Sequence, residues 1–111
     1  MLNASEPMPN IKSIISTVAS EFSIYLGDCK QQSYDFNIEV ATAGEETTTT
    51  VRLLLQGDGL AVWVNNKAFE TADAGSLEDD IYRAIRDLPI VKQTIKDINL
   101  RADRGRYDVD V

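Results

Sequence analysis

The run YDFNIEVAT, from Tyr34 to Thr42, alternates strictly. Tyr34, Phe36, Ile38 and Val40 point one way, while Asp35, Asn37 and Glu39 point the other, which is the pattern of a half-buried β-strand with one wet face. AGEE then supplies a turn, and TTTTVRLLLQ returns with Thr47, Thr49, Val51, Leu53 and Leu55 on one side. The two runs are expected to pair as an antiparallel hairpin. β-Branched threonines suit a strand end, and their outer-face positions suit a ribbon that projects beyond the core. Gly57-Asp58-Gly59 is a tight-turn signal, after which Leu60, Val62 and Val64 alternate with Ala61, Trp63 and Asn65 in a third strand. Asn65-Asn66-Lys67 turns the chain again, toward a short strand at Ala68-Phe69. A sheet patterned in this way must cover its apolar face with something else.

Helical segments on either side of the sheet supply that cover. Residues 1–8, with Pro7 and no periodicity, read as a loose arm, and Asn10 offers a helix cap. Ile11, Ile14, Ile15, Val18 and Phe22 then share one helical face, so a helix is expected at about 9–21. Phe22, Ile24 and Leu26 alternate with Ser23 and Tyr25, which predicts a switch to a short strand before Gly27-Asp28. Ser76 opens a second helical region with the capping-box spacing to Asp79, and Glu78, Asp79 and Asp80 sit where a helix dipole favours negative charge. Leu77, Ile81, Ile85 and Leu88 form its buried stripe. Pro89 would cost a continuous helix about 3 kcal/mol but is welcome at the first position of a new one. Two helices meeting at an elbow are therefore predicted, at about 76–88 and 89–97. Ile98, Leu100 and Ala102 read as a strand, DRGR as a turn, and Tyr107, Val109 and Val111 as a last strand. The resulting order, α, β, β, β, β, α, α, β, β, is an α+β domain over residues 9–111. Its architecture is a mainly antiparallel sheet with an N-terminal helix and a proline-broken helix pair packed on one face.

Charge narrows the class of partner. Eleven Lys and Arg stand against 18 Asp and Glu, for a net charge of -7 and a pI near 4.4. A field of that sign repels nucleic acid unless the basic residues cluster. The densest group, Arg101, Arg104 and Arg106, is interleaved with Asp103, Asp108 and Asp110, so no direct nucleic-acid contact is expected. No apolar run approaches the roughly 20 residues of a membrane span. The first ten residues lack the basic and apolar regions of a signal peptide, so the Asn3-Ala4-Ser5 glycosylation sequon reads as coincidence. Cys29 is the single cysteine, which leaves no intramolecular disulfide and favours a cytoplasmic home.

No constellation of residues points to catalysis. Histidine is absent, which removes the commonest general acid/base. Asp58 reads as a hairpin-turn residue, because calcium loops need several oxygen ligands at fixed spacing. Glu78, Asp79 and Asp80 are accounted for by the helix start, and Cys29 has neither histidine nor a second cysteine to activate it. No catalytic residue, metal ligand or cofactor is assigned. The candidate interface is the polar outer row of the hairpin, Asp35, Asn37, Glu39, Thr48, Thr50 and Arg52, together with Trp63. Large aromatics dominate binding hot spots, and alternation places Trp63 either in a second core layer or on the exposed face of the sheet.

The segments LEDDIYRAIRDLPIVKQTIKDI and INLRADRGRYDVDV read as a helix ending in Asp-Leu-Pro, a short second helix and two strands. That plan resembles the C-terminal half of the tail terminators and related head-to-tail joining proteins of long-tailed phages. The N-terminal helix and the ribbon YDFNIEVATAGEETTTTVRLLL are similar in order to the same family, whereas LAVWVNNKAFE is an additional hairpin. The resemblance implies a structural, non-catalytic virion protein without cofactor, assembled in the host cytoplasm. It would form a ring-like homo-oligomer, a hexamer in that family's plan, between the tail tube and the connector protein. An alternative of another class is a small acidic chaperone or immunity-type protein, usually a dimer, that binds a basic effector or toxin. It is similar to the α+β chaperones that hold secretion effectors, in which a helix, three strands and a later helix follow one another.

Overall fold

The computed structural model describes residues 7–28, 30–41, 48–68 and 75–109. Within them the chain runs α1 (Pro7–Asp28), β1 (Tyr34–Ala41), β2 (Thr48–Gln56), β3 (Gly59–Val64), β4 (Lys67–Ala68), α2 (Leu77–Arg86) and α3 (Pro89–Val109). The strands form one antiparallel meander in sequence order. α1 packs against β1, α2 against β3, and α3 against β2, and the three helices also touch one another. The result is an α+β sheet-and-helix sandwich whose core lies between the two layers.

Alternation places the strand residues as the sequence implies. β1 and β2 pair without interruption from Tyr34 opposite Leu55 to Ala41 opposite Thr48. Tyr34, Val40, Val51, Leu53, Leu55, Val62 and Val64 are buried on the helix side. Because Val40 is among them, the described part of the hairpin lies over the core and does not project as a free ribbon. The AGEE turn lies outside the described residues. The Asn65-Asn66 turn takes positive φ at both positions, 52° and 68°, the two-residue geometry that matches the twist of the strands it joins. Asn65 also lengthens the sheet. Its backbone N–H donates to the Thr50 carbonyl at 2.8 Å, and its side-chain oxygen accepts from the Thr50 N–H at 2.9 Å. At the other end of β3, Asn99 of α3 donates to the Gly57 carbonyl at 3.0 Å. A side chain at Gly57 would meet that carboxamide, so the Asn99 side chain would have to swing aside.

α1 is longer than the alternation of Phe22, Ile24 and Leu26 suggests. No strand forms there, and the helix continues to Asp28. It also begins at Pro7, where a missing N–H is harmless, so the arm expected over residues 1–8 gives way to helix at its end, while residues 1–6 lie outside the description. Burial explains the outcome. Ile14, Val18, Phe22 and Leu26 follow at intervals of four and are buried, whereas Ile24 is 57% exposed. The added turns carry an aromatic cluster that fixes α1 to the start of β1. Phe22 and Tyr25 each lie 5.3 Å from Phe36, and Tyr25 meets Tyr34 edge-on at 5.7 Å.

α2 starts as its capping pattern predicts, with a variation. The Ser76 hydroxyl accepts from the Asp79 N–H at 3.1 Å, but the Asp79 carboxylate reaches past Ser76 to accept from the Gly75 N–H at 3.1 Å. It also accepts from Arg83 Nε at 3.1 Å, with its side chain only 8% exposed. The Gly75 N–H, reinforced by Arg83, outweighs burial and holds the Asp79 carboxyl below the usual carboxylate range. Because the folded value is depressed, the stabilisation is complete above the unfolded value of about 4 and is lost as pH falls through the folded value. The melting-temperature gap between the native chain and Asp79→Asn is therefore expected to be widest near neutral pH. It should narrow progressively as melts are taken to acid pH, below the ordinary carboxylate value and through the depressed folded one. A gap independent of pH would assign the effect to shape rather than charge.

The chain breaks where Pro89 demands it. The last N–H groups of α2 turn back through Asp87 to Arg83 and Leu88 to Ile85, and the Leu88 carbonyl then receives Val91 and Lys92, opening α3 with Pro89 at its first position. The two strands expected after residue 97 are absent, because α3 runs unbroken from Pro89 to Val109. Val91, Thr94 and Ile98 face the core at helical spacing, whereas Leu100 is 44% exposed. Thr94 returns its hydroxyl proton to the Ile90 carbonyl at 2.7 Å, which satisfies it inside the helix.

Candidate functional site

Most side chains on the helix side of the sheet are buried in the core, with Phe36 and Ile38 of β1 only partly so, and the opposite face is where the molecule can meet something else. Among the described residues no helix covers that face. Its organising residue is Arg52, at the centre of a cross-strand row in which Asn37 stands opposite Arg52 and Arg52 opposite Trp63. Asp35, one pleat away, grips the guanidinium with both oxygens, accepting from Nε at 2.9 Å and from Nη2 at 2.8 Å. The hydrogen bonds from Arg52 hold the Asp35 carboxyl below its ordinary range, and Asp35 in turn pushes Arg52 upward. Both partners are roughly half exposed, so the pair contributes more to position than to stability. The clamp holds the guanidinium 4.8 Å from the centroid of the Trp63 ring.

Of the residues that the alternation selects, Asp35, Asn37, Thr50, Arg52 and Trp63 form one contiguous patch. Asn37, Thr50, Arg52 and Trp63 border a shallow groove of about 260 Å³. Glu39, opposite Thr50, and Thr48, opposite Ala41, lie further along the hairpin and do not line it. Trp63 belongs to this outer face and not to a second core layer, since the buried neighbours Val62 and Val64 point the other way. Asn66 closes the groove and was not selected by the alternation. Its signal was present in the Asn-Asn turn, which only a bend of this tightness brings over the sheet.

A second recess of about 280 Å³ lies between the end of α1, the approach to β1, and α3, bordered by Leu26, Lys30, Tyr34, Thr94, Asp97 and Arg101 among others. Its polar groups are largely engaged with one another. Arg101 donates to the Gln31 carbonyl, the Gln31 N–H donates to the Tyr34 hydroxyl at 3.0 Å, and Gln93 donates to Asp97 at 2.9 Å. Asp58 occupies the β2–β3 turn as expected, and Cys29 lies outside the described residues. Among the described residues no group of three potential metal-ligating side chains comes together. No described helix is long and apolar enough to cross a membrane. Compared with known proteins, the chain matches no family, and no curated protein or solved structure is significantly similar to it.

Proposed function

We propose that this protein is a small, acidic, non-catalytic binding protein of chaperone or immunity type, which holds a basic client protein against the open side of its sheet. One observation carries the reading. Trp63 stands on a sheet face that no described helix covers, with its ring beneath a guanidinium that Asp35 has already fixed. Tryptophan and arginine are the residues most often found at binding hot spots, and a side chain ordered before contact loses less entropy on binding. A net charge of -7 favours a basic client. The element order, one helix, a meander and then a helix pair, accords with the same class.

A second reading, the ring-forming tail terminator, is supported by the elbow at Pro89 and by the β1–β2 hairpin. It loses the two strands after the second helix, which are replaced by the remainder of α3. Light scattering on the pure chain separates the two. A monomer or dimer is expected, and a closed ring of six copies would transfer the choice to the tail-joining role. Affinity capture from the source cells, run with native chain and Trp63→Ala side by side, tests the binding reading itself. One basic protein is expected to co-purify in fixed ratio with the native chain. Its affinity should fall on the order of tenfold or more for Trp63→Ala, while the variant still melts cooperatively. A partner held equally by both would remove Trp63 from the interface and this reading with it.

A further inference from the structure

The free edge of β1 shows how such a client would be held. Among the described residues β1 is the outermost strand of the sheet, paired on one side only along its eight residues. The direction of its backbone groups follows from one contact. Both the N–H and the C=O of Thr50 bond to Asn65, on the β3 side. Backbone groups alternate along an antiparallel strand, so Val51, Leu53 and Leu55 direct theirs toward β1, where they meet Ile38, Phe36 and Tyr34. The N–H and C=O groups of Asp35, Asn37 and Glu39 therefore point out of the sheet. The Tyr25 hydroxyl donates to the Asp35 carbonyl at 3.4 Å, as that direction requires. No described residue supplies partners for Asn37 and Glu39.

Edge strands in natural proteins are usually blunted by proline, lysine, a bulge or an early end. β1 has no proline, lysine or bulge along YDFNIEVA, and its guards are the charges of Asp35 and Glu39 and the Tyr25 hydroxyl at the Asp35 carbonyl. The side chains flanking the edge also have a defined pattern. On the outer face Asp35, Asn37 and Glu39 are exposed, and Glu39 has no ion pair among the described residues. On the helix face Phe36 and Ile38 remain only partly buried, although they point toward the core.

Building on the binding reading above, we propose that the free edge of β1 accepts an extended segment of the client as a fifth strand, with apolar side chains against Phe36 and Ile38 alternating with polar ones, of which a basic side chain meets Glu39. A second copy of this chain is the poorer occupant. Paired antiparallel about Asn37, it would set each Glu39 opposite the copy's Asp35, whose carboxylate Arg52 already holds, so Glu39 gains no counter-ion there, and a slip by two residues brings Glu39 diagonal to its own equivalent. Like charges so placed destabilise a strand pair, and each copy already carries -7.

The test uses the full chain and a capped peptide of eight residues, alternating valine and lysine, followed by NMR titration and amide exchange. Saturable binding is expected, with the Asn37 and Glu39 amides becoming protected from exchange. Asn37→Pro removes an outward donor and leaves the β1–β2 ladder bonds intact, which an edge strand tolerates. It should weaken binding on the order of tenfold or more, the scale on which one or two lost hydrogen bonds act. Should Asn37→Pro fail to fold, the same peptide N-methylated along one edge removes the bonds from the other side and should bind as weakly. A valine–glutamate peptide should not bind. No binding of the lysine peptide, or binding without protection of Asn37 and Glu39 that survives N-methylation, would overturn the proposal. If that surviving binding is lost with Trp63→Ala, the open face stands as the binding site and only the edge is excluded. Protection of the edge amides in the chain alone, rising with its concentration, would give the edge to a second copy and overturn the proposal as well.

Discussion

Phe22→Ala is expected to cost the fold about 3–5 kcal/mol, and Ile24→Ala about 0.5 kcal/mol or less. The contrast follows from the continuation of α1 through a segment whose alternation suggests a strand. Phe22 is fully buried, its ring 5.3 Å from Phe36 and 6.2 Å from Tyr25, while Ile24 lies on the opposite, exposed side of the helix. In a strand the two side chains would share a face, and both truncations would be costly. Since small domains are stable by only about 5–15 kcal/mol, Phe22→Ala should move the urea midpoint far enough to leave part of the population unfolded at room temperature. Equal losses at the two positions would contradict a helical end to α1. The consequence reaches the binding edge, because Phe22 and Tyr25 are what hold Phe36, and with it β1, against the helix layer.

The same two segments show where sequence patterning runs out. Positions i and i+4 fall on one face in both a strand and a helix, so Phe22 with Leu26, and Ile98 with Ala102, carry no information about period. Only the residue between them discriminates, and in each case that residue, Ile24 or Leu100, is an apolar side chain left at the surface. An apolar residue on an exposed helix face is ordinary, since more than half of a folded surface is apolar. Where alternation extends over longer runs, as from Tyr34 to Val40 or Val51 to Leu55, the ambiguity vanishes and the strands and their faces are legible. Pro89 was legible for a different reason, a covalent constraint that no packing can override. The outer face of the candidate site followed from the same alternation. The pairing of Asp35 with Arg52 did not, because it depends on a strand register fixed across a turn that alternation cannot measure.

α3 offers the sharper test of the C-terminal correction. Leu100→Pro is expected to cost about 3 kcal/mol or more, since proline inside a helix deletes the bond to the carbonyl four residues back and clashes with it. Leu100→Ala, at the same exposed site, should be nearly neutral, because little buried surface is lost and alanine favours the helix. The pair separates helix from strand cleanly. A strand at the margin of a sheet would tolerate the proline, and a Leu100 buried beside Ile98 would not tolerate the alanine. The effect should also spread in a defined direction. On either side of Leu100, Asn99 holds the Gly57 turn and Arg101 holds the Gln31 carbonyl just ahead of β1. Breaking the helix between them should therefore speed amide exchange at the β2–β3 turn and at the entry to β1 before it does so at Val51 or Leu53. Uniform acceleration across the sheet would mean that α3 stabilises only by burial at Val91, Thr94 and Ile98, and that its far end does not position the edge.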